Sequence, residues 1–149
     1  MTHSGLDNFG AYQKALALFD LVVDDMALLQ KDTRCYRLVS QQVGSADAIC
    51  ANIEEGYGRI SRREYVRFLD FARGSARETQ GRYSRMKHWL SPDVIAHRTA
   101  LAGEIIAILT STIKRLQMEL PPGAEDTNHS MSVKEPSIEY ESSPLTPDT

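Results

Sequence analysis

The sequence predicts an all-α protein: an antiparallel up-down-up-down four-helix bundle in residues 1–118, followed by a disordered acidic C-terminal tail in residues 119–149. Three observations favour this fold class. Apolar residues recur at helical spacing over four segments, no segment alternates with the period of a strand, and the links between segments are short and polar. Helices joined by short links pack as antiparallel neighbours, so four of them are expected to close into a bundle.

The first helix is predicted over about residues 9–31. Leu18 and Val22 lie on its apolar side, which should face the core. Three acids are assigned to the opposite, solvent-facing side: Asp20, Asp24 and Asp25. A polar link around residues 31–33 then offers capping residues for the next helix.

The second helix is predicted over about residues 35–55, with an inward face that is unusually small and polar. Because buried amides need hydrogen-bond partners, we expect Gln41 and Asn52 to form a structural hydrogen-bond network. Glu55 is expected to pair with an arginine such as Arg59. A catalytic role for these polar residues is the weaker interpretation.

Glycine residues are expected to end this helix at Gly56 and Gly58, since glycine reaches the left-handed conformation at low cost. Ser61 and Glu64 then form a capping box, in which the serine side chain bonds the Glu64 amide and the glutamate reaches back. The box opens a third helix, predicted over about residues 61–90. Its apolar residues fall within an arc of about 100°.

The fourth helix is predicted over about residues 92–118. Ser91 is a good N-cap residue, and Pro92 suits the first turn of a helix. Residues 119–149 hold seven acids and one lysine among many Pro, Ser and Thr residues. Such a composition does not build a core, which is why this segment is predicted to be a tail.

The remaining residues argue against several kinds of site. Cys35 and Cys50 would lie about 22 Å apart on one helix, beyond disulfide reach, so both are expected to be buried or neutral thiols. The four histidines have no partners at ligand spacing, and neither a metal nor a cofactor is predicted. The absence of a secretory signal and of an apolar run of about 20 residues predicts a cytoplasmic protein that contacts no membrane.

Residues 38–78 carry a recognisable pattern. Its elements are Gln41, Ala48-Ile49, Asn52-Ile53, Glu55-Gly56, Gly58-Arg59, Phe68-Leu69, Ala72, Gly74-Ser75 and Glu78. In this pattern the chain resembles the four helix bundle protein family, first known from reading frames in intervening sequences of bacterial 23S ribosomal RNA genes. The resemblance covers roughly residues 10–118. It departs at Val43-Gly44, where family members usually carry two arginines.

The resemblance implies an antiparallel four-helix bundle that can assemble into a homopentameric barrel. A structurally similar relative, the accessory variability determinant of diversity-generating retroelements, binds a reverse transcriptase and RNA through a basic surface. Most family members have no established activity, so the resemblance implies an architecture more than a function. The missing arginine pair weakens any nucleic-acid role that would depend on it.

Arginines make the third helix the main functional candidate, because residues 59–87 hold nine basic and three acidic residues. A basic stripe opposite the apolar face consists of Arg63, Arg67, Arg77 and Arg85, with Arg59 joining it if the helical phase extends back. The planar arginine fork suits phosphate, so the stripe is predicted to contact nucleic acid. An acidic protein partner and a merely solvated face are the alternatives. No aromatic residues are expected to interleave with these arginines, so stacking of single-stranded bases is not predicted.

Large apolar residues outside the core arc predict a contact between copies of the chain. Phe71 and Trp89 share one azimuth beside the basic stripe, and Val66 lies on the other flank. The alternative is that neighbouring helices of the same bundle cover them.

These features together predict a non-enzymatic binding or scaffold module, since no nucleophile–base–orienter set is visible. Its preferred partners are further copies of itself, as a homo-oligomer, and structured RNA or a ribonucleoprotein, with DNA next. The alternative function is a protein–protein adaptor without nucleic-acid binding. The acidic tail is opposite in charge to the basic stripe, and it is expected to fold back on the stripe and compete with nucleic acid.

Overall fold

The computed structural model describes residues 5–119. This part of the chain forms four α-helices and no strand, which confirms the predicted fold class. The helices are α1 (Gly10–Leu29), α2 (Tyr36–Tyr57), α3 (Arg62–Ser84) and α4 (Pro92–Met118), with a single 3₁₀ turn at Thr33–Cys35 before α2. Residues 120–149, and with them nearly all of the predicted tail, lie outside the described residues.

The helices close into a ring in chain order, because each packs against the one before it and α4 packs back against α1. Side-chain contacts join residues near the start of one helix to residues near the end of its neighbour. These contacts are Tyr12–Glu54, Gln42–Thr79, Gln80–Thr99 and Asp25–Arg98. All four neighbouring pairs are therefore antiparallel, as the up-down-up-down topology requires.

The core lies between the four apolar faces, where Leu18, Ile49, Leu69 and Ile105 are fully buried. Both cysteines are free and buried, as predicted. Burial raises the pKa of Cys50 to about 12, so this thiol stays neutral at physiological pH.

The predicted extent of the third helix is wrong at its C-terminal end. The prediction placed the end near residue 90, whereas α3 ends at Ser84. The Ser84 hydroxyl donates to the Gly81 carbonyl at 2.6 Å, and the Met86 amide bonds the Tyr83 carbonyl at 3.0 Å in a tight turn. Glycine weakens the helix and serine competes for its carbonyls, so the chain turns here. The other helices begin and end within two residues of the predicted positions.

The predicted role of the two glycines after the second helix is also wrong. Gly58 caps α2 with φ −77° and ψ −6°, a right-handed conformation. Gly56 is buried inside α2, and a Cβ at this position would lie 2.8 Å from Cβ of Phe68 and 3.0 Å from Cδ2 of Tyr65. Glycine is therefore required at position 56 by the close approach of α2 and α3, and not by the backbone conformation.

α4 is the one described helix that is long and apolar enough, by length and composition alone, to cross a membrane. In the bundle, its Ile105, Leu109 and Ile113 are buried. The helix packs against α1 and α3, so these residues belong to the bundle core.

Candidate nucleic-acid interface on α3

A buried polar network joins α2 to α3, and it is built on Gln42. The Gln42 side-chain nitrogen donates to the Thr79 carbonyl at 2.9 Å, and the hydroxyls of Ser45 and Thr79 lie 2.8 Å apart. Arg82 completes the network, with Nη1 2.7 Å from Ser45 Oγ and 3.3 Å from Gln42 Oε1. Every polar group named here is thus satisfied inside the protein.

The predicted network of Gln41 and Asn52 is therefore wrong. Gln41 is exposed, and the Asn52 side chain donates to the Ala48 carbonyl of its own helix at 2.8 Å. The two adjacent glutamines differ by about 100° on the helix, and the packing of α3 selects the second one. The expected Glu55–Arg59 ion pair is confirmed.

A second buried polar cluster joins α1, α3 and α4, and it corrects the assignment of Asp25 to solvent. Asp25 Oδ2 accepts from the Tyr83 hydroxyl at 2.7 Å and from Arg98 Nε at 2.8 Å. Burial and this carboxylate raise the pKa of Tyr83 above its usual range. Asp25 follows the buried Leu18 by seven residues and Val22 by three, a spacing on one helix face that could have revealed its burial.

Two of the α3 arginines stabilise the bundle and are therefore not candidates for the functional site. Arg82 keeps only 13% of its side chain exposed and lies 3.6 Å from Glu78. Arg73, at 22% exposed, pairs with Asp70 at 2.6 Å and reaches Thr110 of α4. Both arginines lie in the grooves beside α3, where they neutralise two of its three acids.

The outward face of α3 carries the exposed arginines of the predicted stripe, namely Arg63, Arg67 and Arg77. The N-terminal part of this face is set by Ser61, whose Oγ accepts from the Glu64 amide at 3.3 Å. This confirms the first half of the capping box. Arg85 lies just beyond the end of α3, where its Nη1 donates to the Gly81 carbonyl at 3.2 Å.

Aromatic rings do interleave with these arginines, contrary to the prediction. The guanidinium carbon of Arg59 lies 5.0 Å from the ring centre of Phe68, and that of Arg67 lies 5.5 Å from the ring centre of Phe71. The two rings meet edge to face at 5.8 Å. We call these four residues the Arg–Phe ladder. Phe71 is 46% exposed, so one ring of the ladder is open to solvent.

The sequence contained part of this signal, because Arg67 and Phe71 are four residues apart and hence on one helix face. Arg59 lies in the link before α3, so its position over Phe68 depends on how the link folds. Helical periodicity does not determine that position.

The three residues predicted to form an oligomer contact are separated in the structure. Val66 and Trp89 are partly buried and pack against the core of their own bundle, and Trp89 Nε1 donates to Asp32 Oδ2 at 3.2 Å. Hydrogen bonds from Arg34 and Trp89 hold the pKa of Asp32 well below its usual range. Phe71 and Trp89 do not share a helix face, since α3 ends between them.

Other apolar side chains are exposed on the opposite part of the bundle. Leu16 and Val23 of α1 are 43% and 45% exposed. They are seven residues apart, which places them on one face of α1, beside the half-buried Phe19. Tyr36, at the start of α2, is also exposed. We call Leu16, Val23 and Tyr36 the α1–α2 apolar surface.

Within residues 5–119, no group of three or more His, Cys, Asp or Glu residues could hold a metal ion.

The sequence model of the 23S rRNA-intervening sequence protein family matches residues 7–111. A crystal structure of a protein of unknown function from the S23 ribosomal protein family of Bacteroides thetaiotaomicron has the same fold, with a TM-score of 0.66. The two chains are 23% identical, over 70% of this chain and 98% of the other. No curated protein matches the chain.

Proposed function

Since this chain belongs to the 23S rRNA-intervening sequence protein family, we propose that it is a non-catalytic, cytoplasmic binding module that holds structured RNA, or a ribonucleoprotein, against the outward face of α3. The observation that carries this proposal is the Arg–Phe ladder beside exposed arginines. The family takes its name from intervening sequences of 23S rRNA, and on that ground we choose RNA over DNA as the partner to be tested.

The arginines of the outward face supply the phosphate contacts. Arg63, Arg67 and Arg77 are exposed, whereas two of the three α3 acids pair with the groove arginines Arg73 and Arg82. The outward face therefore keeps the whole net charge of α3, +3, from four arginines and Glu64, which lies 3.6 Å from Arg67. Guanidinium groups bind phosphate oxygens in pairs, and neutralising phosphates releases counterions from the nucleic acid.

Phe71 supplies a surface for an unpaired base. Its ring meets the Phe68 ring edge to face and lies next to the Arg67 guanidinium, while 46% of the residue is exposed to solvent. Bases stack on such rings in a sequence-tolerant way. We therefore propose that the bound RNA presents unpaired nucleotides next to its helical part, as a loop or a bulge does.

Titrating the protein against a labelled RNA hairpin at several salt concentrations tests the two contributions separately. The variant R63Q/R67Q/R77Q should bind more weakly, and its slope of log affinity against log salt should become shallower by about 0.7 for each phosphate that an arginine no longer neutralises. Phe71→Ala should weaken binding by about 1–3 kcal/mol, the stacking contribution of one base, with an unchanged slope.

The matched control removes three cations from other parts of the bundle, in the variant K31Q/R37Q/K114Q. These side chains are exposed and lie off α3, so this variant should retain most of the affinity. Equal losses of affinity in both triple variants would show that net charge alone, and not the outward face of α3, governs RNA binding. Absence of salt-dependent binding in the unaltered protein would refute the proposal in favour of the adaptor function.

Self-association is the second part of the proposal, and the α1–α2 apolar surface supports it. Val66 and Trp89 pack against the core of their own bundle, and Phe71 lies within the Arg–Phe ladder. Leu16 and Val23 share one face of α1, and exposed apolar groups that share a face are typical of contact surfaces. We therefore assign the contact between copies to Leu16, Val23 and Tyr36, which leaves α3 accessible to RNA.

A further inference from the structure

The chain leaves the bundle beside the first residue of α3. α4 ends at Met118, and the next residue, Glu119, places Oε2 2.7 Å from Nη1 of Arg62. Arg62 is the first residue of α3, between two arginines of the Arg–Phe ladder in sequence. The segment that follows, residues 120–149, therefore starts at the end of the bundle where the ladder lies.

The charge of this segment is opposite to that of the outward face of α3. Residues 120–149 contain six acids and one lysine, which gives a net charge of −5. The ion pair of Glu119 with Arg62 shows that a carboxylate in this part of the chain already contacts α3. Further carboxylates would meet Arg63, Arg67 and Arg77 along the same face.

One stretch of the segment also matches the ladder in its apolar residues. Residues 135–141 read EPSIEYE, in which Ile138 and Tyr140 alternate with glutamates. The outward face of α3 has the converse pattern, with an exposed phenylalanine among arginines, and Ile60 in the preceding link is fully exposed. A segment that brings both carboxylates and apolar side chains is the more complete complement to this surface.

The chain is long enough to make this contact within one molecule. Glu135 follows Glu119 by 16 positions, and this stretch of chain spans up to about 53 Å when fully extended. Arg62 and Arg77 are about 22 Å apart along α3 at 1.5 Å per residue. Residues 135–141 can therefore reach any part of the basic face.

We propose that residues 135–141 bind the outward face of α3 in their own chain, at the Arg–Phe ladder, and thereby compete with RNA for it. The binding of the segment stands on the contacts and charges above, whereas the competition rests on the proposed function. The segment raises the local concentration of carboxylates at the ladder. RNA has to displace them, which would restrict binding to partners that present a high density of phosphate.

A spin label at Ser143→Cys tests the intramolecular contact without RNA. The native Cys35 and Cys50 are buried, so the new thiol is the one that reacts with the label. Paramagnetic broadening of backbone amide signals should be strong for residues 62–77 and weak for α1, which lies across the bundle. Addition of 0.5 M salt should remove much of it, because about 4 Å of screening length then remains. Equal broadening of both helices, or none, would overturn the proposal.

The hairpin titration then tests the competition. The variant E135Q/E139Q/E141Q should raise the affinity for the RNA hairpin about threefold or more. This is the smallest effect expected from the loss of three exposed ion pairs. The control D20N/D24N/D47N removes three exposed acids from α1 and α2 and should raise it less. Equal effects would refute the competition. If the label reports contact with α3 but the unaltered protein and both variants bind no RNA, the proposed function fails and the segment contact stands.

Discussion

Gly56 shows how a single residue sets the distance between two helices. Its missing side chain lets α2 approach α3 until a Cβ would lie within 2.8 Å of Phe68 Cβ. The neighbouring atoms belong to the start of a helix that is held by the Ser61 cap, so they cannot move aside without shifting the backbone. The residue therefore fixes the position of the link that carries Arg59.

Gly56→Ala should destabilise the protein by about 1–3 kcal/mol, the usual effect of overpacking. Gly74→Ala, inside α3, is the matched control, because a Cβ at that position would meet no neighbouring atom within 4 Å. That substitution should stabilise by up to about 1 kcal/mol through helix propensity. Urea unfolding followed by circular dichroism measures both changes. Effects of the same sign and size would mean that propensity alone governs both positions.

Residue-scale errors in the prediction have a common cause. On a helical wheel, Gln41 and Gln42 are both compatible with an inward position. Asp25 is likewise compatible with either side of α1. Burial of these polar groups depends on partners from other helices, namely Thr79 and Arg82 for the amide and Arg98 for the acid. The apolar periodicity along a single helix contains no information about those partners.

At the scale of elements, the two sides of α3 carry arginines in different environments. The side in the grooves uses Arg73 and Arg82 to reach α4 and α2. The outward side carries the exposed arginines and the Arg–Phe ladder. Arginine is therefore not a uniform signal along this helix, and only exposure separates the structural arginines from the candidate ligands.

The Asp25 cluster is the polar link between α1, α3 and α4, and removal of its acid should be costly. Asp25→Asn leaves Arg98, whose side chain is 15% exposed, without a neutralising charge, which should destabilise by about 3–5 kcal/mol. Its exposed neighbour provides the control, because Asp24→Asn should change stability by no more than about 0.5 kcal/mol. Thermal unfolding of both variants at neutral pH measures this. Similar melting temperatures would show that the cluster contributes little.

At the scale of the whole molecule, the α1–α2 apolar surface and the basic face of α3 lie on different parts of the bundle, so the proposed assembly and the proposed RNA binding are compatible. We assign the first to Leu16, Val23 and Tyr36 and the second to α3. This separation makes the two parts of the proposed function independent, since a variant in one surface leaves the other intact.

Leu16→Asp should therefore shift the protein towards the monomer in sedimentation velocity, because it buries a charge in the contact. Leu28→Asp is the control: Leu28 is 56% exposed on the same helix, about 120° away from Leu16, and its substitution should leave the sedimentation coefficient unchanged. Phe71→Ala should also leave it unchanged. Dissociation by Phe71→Ala alone would instead restore α3 as the contact surface.

The fold class, the four helices and most of the core could be predicted from the amino-acid sequence, because apolar periodicity and capping residues act within one helix or between chain neighbours. The position of the basic stripe could be predicted as well, because the helical wheel shows which arginines lie opposite the apolar face. The packed bundle was needed to show which polar residues are buried, why Gly56 must be glycine, where α3 ends and which arginines meet aromatic rings. These features depend on atoms brought together from different helices, and neither spacing along one helix nor composition specifies those distances.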